Sequence, residues 1–156
     1  MKKSKNNFKI LALDIATTTG YAIYNGIDFI HGVIKSPKEK QFYNLRVEVE
    51  GLINKHRPNI VLIEDTFIGP YANAAKKLNM FRGAVIQLFE GLNIDFQSVN
   101  NTTIKSVLVK NNHATKNQVV DEINKLFNLT LNPKQNDEAD AISLAYIFFK
   151  ELSNGN

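Results

Sequence analysis

Residues 8–15, with the sequence FKILALDI, are the stretch that decides the fold of this 156-residue chain. Both faces of the segment are apolar around Leu11 and Ala12, which predicts a strand at the centre of a sheet. The segment encloses one acid, Asp14. Because burying an unpaired carboxylate costs several kcal/mol, an acid at this position indicates a functional role.

Further strands and helices follow from apolar periodicity, with a turn at 17–20 and a hairpin signal at Asn25-Gly26. The predicted strands cover 8–15, 21–24, 29–34, 59–63 and 94–99. The predicted helices cover 36–56, 71–90, 102–109, 115–127 and 136–152. This order predicts an α/β protein with a mixed five-stranded sheet, an antiparallel meander plus parallel strands, and helices on both faces. Such an arrangement resembles the RNase H-like fold.

The composition limits the class of protein. With 44% hydrophobic residues, 22% charged residues and no cysteine, disulfide frameworks, thiol catalysis and cysteine-based zinc sites are excluded. The net charge of +4 permits a polyanionic partner. The length predicts one domain over 1–156, with 1–7 as a flexible basic arm or a solvated tail. We expect no membrane span, because the apolar stretch at 141–149 is far shorter than roughly 20 residues, and we expect a cytoplasmic location.

Acids follow the apolar strands and open the last helix. Glu64 follows the strand at 59–63, so it converges with Asp14 if the two strands are neighbours. Asp137 and Asp140 are spaced i, i+3 and therefore share one helical face. Alternatives stay open for single residues. Asp137 complements the helix dipole, Asp65 fits a turn, and Glu138 fits a solvated position.

Several acids at one sheet edge repel each other and need a cation. Oxygen ligands without cysteine and with few histidines favour Mg²⁺ or Mn²⁺ over zinc. Two such ions about 3.5–4 Å apart are the usual device for in-line phosphodiester hydrolysis. The acids therefore predict a metal-dependent hydrolase of phosphodiesters.

Several segments, in this order and spacing, resemble the RuvC family of Holliday junction resolvases. They are Leu13-Asp14, Thr19-Gly20-Tyr21, Ile63-Glu64-Asp65-Thr66-Phe67, the helix 75–86 with Leu78 and Arg82-Gly83, residues 114–119, Asn132-Pro133 and residues 137–141. The resemblance covers most of the chain, from about residue 10 to residue 145.

The resemblance implies roles for individual residues. The metal-binding catalytic carboxylates would be Asp14, Glu64, Asp137 and Asp140. Lys105 and Lys116 would be catalytic near the scissile phosphate, although both also fit ordinary solvated lysines. The DNA-binding residues would be Phe67, Arg82 and the same two lysines. Phe67 would stack on unpaired bases at the branch point, although it also fits a core position.

The resemblance also implies an activity and partners. The chain would be a metal-dependent, structure-selective endodeoxyribonuclease that resolves four-way DNA junctions by paired symmetric nicks. Its cofactor would be Mg²⁺, with Mn²⁺ as a substitute and two ions per active site. It would act as a homodimer. The helix that includes 75–89 is apolar over more than one stripe, which fits both core and dimer seam, although packing on its own sheet alone accounts for most of these residues. The short chain after the last helix predicts no dependence on a branch-migration motor. The abundance of Lys and Asn is typical of a phage-encoded member.

Other functions are compatible with parts of the sequence. Residues 14–20 also resemble the first phosphate loop of actin-like and sugar-kinase ATPases, but that fold needs two domains. A broader nuclease for flaps, forks and replication branches would use the same site. A non-catalytic junction-binding protein is disfavoured by the intact acids. An RNA-processing relative would be distinguished by ribonucleotide substrates.

Overall fold

A computed structural model describes residues 7–65 and 72–155 of the chain. The strands are β1 (Ile10–Asp14), β2 (Thr18–Tyr24), β3 (Phe29–Lys35), β4 (Ile60–Asp65) and β5 (Asp95–Asn100). The helices are α1 (Gln41–His56), α2 (Ala72–Gly91), α3 (Asn101–Leu108), α4 (Lys116–Phe127) and α5 (Asn136–Asn154). No helix within 7–65 and 72–155 combines the length and apolar character needed to cross a membrane.

The five strands form one sheet in the order β3-β2-β1-β4-β5. β1 pairs antiparallel with β2, and β2 with β3, whereas β1 with β4 and β4 with β5 are parallel. The predicted mixed sheet is therefore confirmed. β1 lies at its centre, and its residues from Ile10 to Leu13 are fully buried.

Side chains of β1 alternate between two hydrophobic clusters, one on each face of the sheet. Ile10 and Ala12 pack with buried residues of α3, α4 and α5. Leu11 and Leu13 pack with buried residues of α1 and α2. The segment is apolar in every position for this reason, and the prediction of helices on both faces is confirmed.

The parallel register of β1 and β4 aligns their carboxyl ends. Ala12 lies opposite Leu62, and Leu13 lies opposite Ile63. Asp14 and Glu64 are the next residues along each strand. Both follow the alternation of Ala12 and Leu62, so they share the face that α5 covers.

Two predicted boundaries are wrong. The turn predicted over 17–20 is shorter, because β2 already begins at Thr18. The buried Thr19 hydroxyl donates to the Ala16 carbonyl at 2.9 Å and accepts from the Ala16 N–H at 3.3 Å, which closes a tight turn after β1. The helix predicted from residue 36 begins at Gln41, since Lys40 has a left-handed backbone with φ 55°.

Candidate active site

The carboxyl ends of β1 and β4 and the first turns of α5 meet at one place. The strands bring Asp14 and Glu64, and the helix brings Asp137 and Asp140. A close backbone contact sets the position of the helix, because a Cβ added at Gly20 on β2 would overlap the backbone carbonyl of Asp137. Glycine at this position therefore lets α5 approach the sheet.

Three of the four predicted carboxylates form a tight cluster. Asp14, Glu64 and Asp140 each offer one oxygen, and these three oxygens lie within 4.8 Å of one another. Each of the three residues is partly buried. Such a set of hard oxygen donors fits a divalent cation of the Mg²⁺ or Ca²⁺ type. The cluster could therefore hold a metal ion.

The cluster opens into a cavity of about 840 Å³. The cavity is lined by Asp14, Ile15, Ala16, Glu64, Asp65, Leu78, Asn100, Thr102, Lys105, Asn112, Lys116, Asp137 and Asp140. All four predicted carboxylates and both predicted lysines thus face one space. Asn100, Thr102 and Asn112 were not among the sequence candidates. The side chain of Asn100 caps α3 by accepting the Thr102 N–H at 2.8 Å. An asparagine directly before a predicted helix is a common N-cap, and this was its one signal in the sequence.

Burial and mutual repulsion raise the pKa of two of the acids. The pKa of Asp14 rises to about 9, mainly because the carboxyl is desolvated and then because Glu64 and Asp140 carry like charge. The pKa of Asp140 rises to about 7 through desolvation and the charge of Glu64. At neutral pH the metal-free cluster therefore retains protons that a bound cation would displace.

Asp137 lies on the cavity wall but outside the tight cluster of three oxygens. Its Oδ1 accepts a hydrogen bond from the side-chain amide of Asn136 at 3.3 Å. Its charge still reaches the cluster, because it contributes to the raised pKa values of both Asp14 and Asp140.

The two predicted lysines come from different helices. Lys105 lies on α3, and Lys116 is the first residue of α4. The start of α4 is fixed by Thr115, which shares a reciprocal capping box with Gln118. The positive charges of both lysines lower the pKa of Asp140 against the larger raising effects. The cavity is therefore lined by both acidic and basic side chains.

Arg82, predicted to bind DNA, has its guanidinium engaged within the protein. Nη1 donates to the backbone carbonyl of Glu64 at 2.6 Å, and Nη2 donates to the Ser98 hydroxyl at 3.1 Å. Nη2 also lies 3.6 Å from Oδ1 of Asp65, and only 12% of the Arg82 side chain is exposed. Arg82 therefore links the end of β4 to α2 and β5. Asp65 is accordingly the last residue of that strand and not a turn residue.

Phe67, predicted to bind DNA, falls outside the described residues. His113, near Lys116 in sequence, is exposed, and among the residues that the structure describes it is not part of the cavity lining.

One pair of residues was missed by sequence reasoning. Glu138, for which a solvated position was an alternative, is 7% exposed, and its Oε2 lies 2.6 Å from Nδ1 of His31. Nothing local in the sequence could pair two residues that are 107 positions apart.

The fold and this site define a class: α/β proteins with a mixed five-stranded sheet and a carboxylate cluster at the ends of its central strands. A family model described as "Crossover junction endodeoxyribonuclease RuvC" matches residues 13–148. A curated relative with the same description, from Rickettsia typhi, is 34% identical over 119 residues, covering 74% of this chain and 76% of the relative. The chain therefore belongs to the RuvC family of crossover junction endodeoxyribonucleases.

Solved structures agree with this fold. The Thermus thermophilus RuvC structure has a TM-score of 0.74 at 18% identity, covering 94% of this chain and 97% of that chain. T. thermophilus RuvC in complex with Holliday junction substrate has a TM-score of 0.75 at 17% identity, covering 93% and 96%. At this level of identity the likeness supports the fold alone.

Proposed function

We propose that this chain resolves four-way DNA junctions by a metal-dependent, structure-selective hydrolysis that places paired, symmetric nicks. The single observation that carries the proposal is the cluster of Asp14, Glu64 and Asp140, within 4.8 Å, in a cavity that two lysines also line. Membership of the RuvC family supports the junction as substrate. In the proposed reaction water attacks the phosphodiester in line and leaves a 5′-phosphate and a 3′-hydroxyl.

The three clustered carboxylates would hold Mg²⁺, with Mn²⁺ as a substitute. Asp137 is proposed as a fourth metal-binding carboxylate, because it lines the same cavity and its charge reaches the others. Four carboxylates suit two ions per active site. When bound, such ions supply Lewis-acid stabilisation of the phosphoryl oxygens and lower the pKa of water.

The lysines would act on the DNA. Lys105 and Lys116 line the same cavity as the carboxylates, and their charges reach Asp140. A phosphate that enters between them would meet two positive charges, which would offset the negative charge that develops in the transition state. Phe67 is the proposed stacking partner of an unpaired base.

Two nicks related by symmetry need two identical active sites, which a two-fold dimer supplies. We therefore propose a homodimer. On α2, the residues Phe81, Val85, Leu88 and Phe89 are buried in the core of their own protomer. An α2 seam would thus use the opposite face of the helix, where Met80 is 51% exposed.

Three broader inferences accompany the proposal. DNA as substrate supports a cytoplasmic location, that of a bacterial host cell if the chain is phage-encoded. Independence from a branch-migration motor and phage origin both stay predictions. A broader nuclease for flaps, forks and replication branches would share this site, so substrate comparison distinguishes it.

The role of the carboxylate cluster is tested by Asp14→Asn, which keeps the size of the side chain but removes its charge. We expect cleavage of a four-way junction to fall by at least about 100-fold, while junction binding in gel shift is retained. Asp95→Asn is the matched control, because Asp95 is exposed at the opposite end of β5 from the site. Cleavage by the Asp14 variant at the rate of the control would refute the metal-site assignment.

A further inference from the structure

The first turn of α5 carries a buried acid that faces away from the cavity. Glu138 stands between Asp137 and Asp140 in sequence, yet it is not among the described residues that line the cavity. Its Oε2 lies 2.6 Å from Nδ1 of His31, within reach of a hydrogen bond that the ring N–H donates. Its Oε1 accepts from Nε2 of Gln135 at 3.3 Å. A buried carboxylate needs such partners.

The contact between His31 and Glu138 is a further link between α5 and the sheet. The carboxylate cluster places Asp140 of α5 beside the ends of β1 and β4, and Gly20 on β2 meets the backbone of Asp137. Asp14 pairs with Gly20 in the β1–β2 register, and β3 lies on the other side of β2. His31 lies on β3. The start of α5 thus lies against four neighbouring strands.

The segment before the helix belongs to the same arrangement. Asn132 and Gln135 form a capping box around the single 3₁₀ turn Pro133–Gln135. Gln135 accepts the Asn132 N–H at 2.9 Å through Oε1 while its Nε2 donates to Glu138. Glu138 therefore links the entry of the helix to the edge strand β3.

Repulsion between the carboxylates indicates what this link does. Ionised carboxylates at the site repel each other, which favours movement of the first turn of α5 away from the sheet. The link through Glu138 is made on the side of the turn away from the cavity, so it opposes that movement without occupying the site.

We propose that His31 and Glu138 are positioning residues, which fix the first turn of α5 so that Asp140 and Asp137 stand ready to bind metal. This inference rests on the proposed function, because it concerns how the same carboxylates are positioned to bind metal. Residues that orient metal ligands commonly change metal affinity by about 10–100-fold when they are replaced. A role only in folding would lower thermal stability and leave metal affinity unchanged.

The test compares His31→Ala with His31→Asn, since Asn retains a side-chain N–H near the place of Nδ1. Mg²⁺ and Mn²⁺ binding to the full chain without DNA is measured by titration calorimetry. The Mg²⁺ dependence of junction cleavage is measured separately. We expect His31→Ala to weaken metal binding by about 10-fold or more, to raise the half-maximal Mg²⁺ concentration equally, and to change the rate at saturating Mg²⁺ much less. His31→Asn should recover most of the affinity.

His56→Ala is the control, because His56 lies at the far end of α1 and should leave metal binding unchanged. If His31→Ala does not fold, Glu138→Gln takes its place, since it retains the shape and removes the charge. Unchanged metal affinity in a folded His31→Ala or Glu138→Gln variant, with only a lower melting temperature, overturns the proposal. If wild-type protein binds Mn²⁺ but does not cut junctions, the proposed function fails, and calorimetry still decides the positioning role.

Discussion

Two acids at the site are buried where an ionised carboxylate is unfavourable. Asp14 and Asp140 hold protons in the metal-free protein because both are desolvated beside Glu64. Lys105 and Lys116 offset only part of this repulsion at Asp140. The site therefore favours a positively charged ligand.

The raised pKa values predict how metal binding depends on pH. Because the pKa of Asp14 is about 9 and that of Asp140 about 7, protons compete with the cation below these values. Apparent Mg²⁺ affinity should rise with pH from about 6 to 9, by roughly tenfold per pH unit for each proton displaced. The half-maximal Mg²⁺ concentration for cleavage, measured at fixed ionic strength, checks this. A value independent of pH across this range would contradict the assignment.

Arg82 provides a second prediction at this scale. Because its guanidinium holds the Glu64 carbonyl, Arg82→Ala should lower the cleavage rate by about 10–100-fold, as loss of a positioning contact does. Junction affinity and its salt dependence should change little. A direct phosphate contact predicts the opposite: weaker binding, with a salt slope smaller by about 1. Binding isotherms at several salt concentrations, beside cleavage rates, distinguish the two roles.

At the scale of elements, the site depends on how closely α5 approaches β2. Gly20 is a point of close contact, and the β1–β2 register places Asp14 directly beside it. The elements were largely predictable, because apolar periodicity and strand ends are local properties of the sequence. The start of α1 was not predictable. Pro37 is a strong local signal for the start of a helix, whereas nothing local indicates the left-handed backbone at Lys40.

Gly20→Ala tests this contact. The added Cβ would meet the Asp137 carbonyl, so we expect the free energy of unfolding to fall by about 1–3 kcal/mol. We also expect slower junction cleavage, because Asp137 and Asp140 would be displaced. Gly51→Ala is the matched control. Gly51 lies inside α1 with nothing within 4 Å of an added Cβ, and alanine there should stabilise by about 0.5–1 kcal/mol. Thermal melts of both variants check the sign. A Gly20→Ala protein as stable and active as wild type would contradict the close approach.

At the scale of the whole molecule, the four acids of the site could be predicted from the sequence, but not all of the residues that hold them in position. Asp14 and Glu64 stood out because each follows an apolar strand, and Asp137 with Asp140 because of helical spacing. The engagement of Arg82 and the pairing of His31 with Glu138 depend on tertiary contacts between distant segments. Such contacts leave no pattern in a single sequence, so these residues could not be assigned before the structure.

The most direct test of the central claim is cleavage of an end-labelled synthetic four-way junction by the purified protein. Reactions contain Mg²⁺ or EDTA, with a fork and a linear duplex of matched sequence as comparison substrates. We predict paired nicks at symmetric positions across the junction, dependent on Mg²⁺, with little cutting of the duplex. Equal cutting of the fork would favour the broader branched-DNA nuclease. No cleavage of the junction in Mg²⁺ or Mn²⁺ would contradict the assigned function.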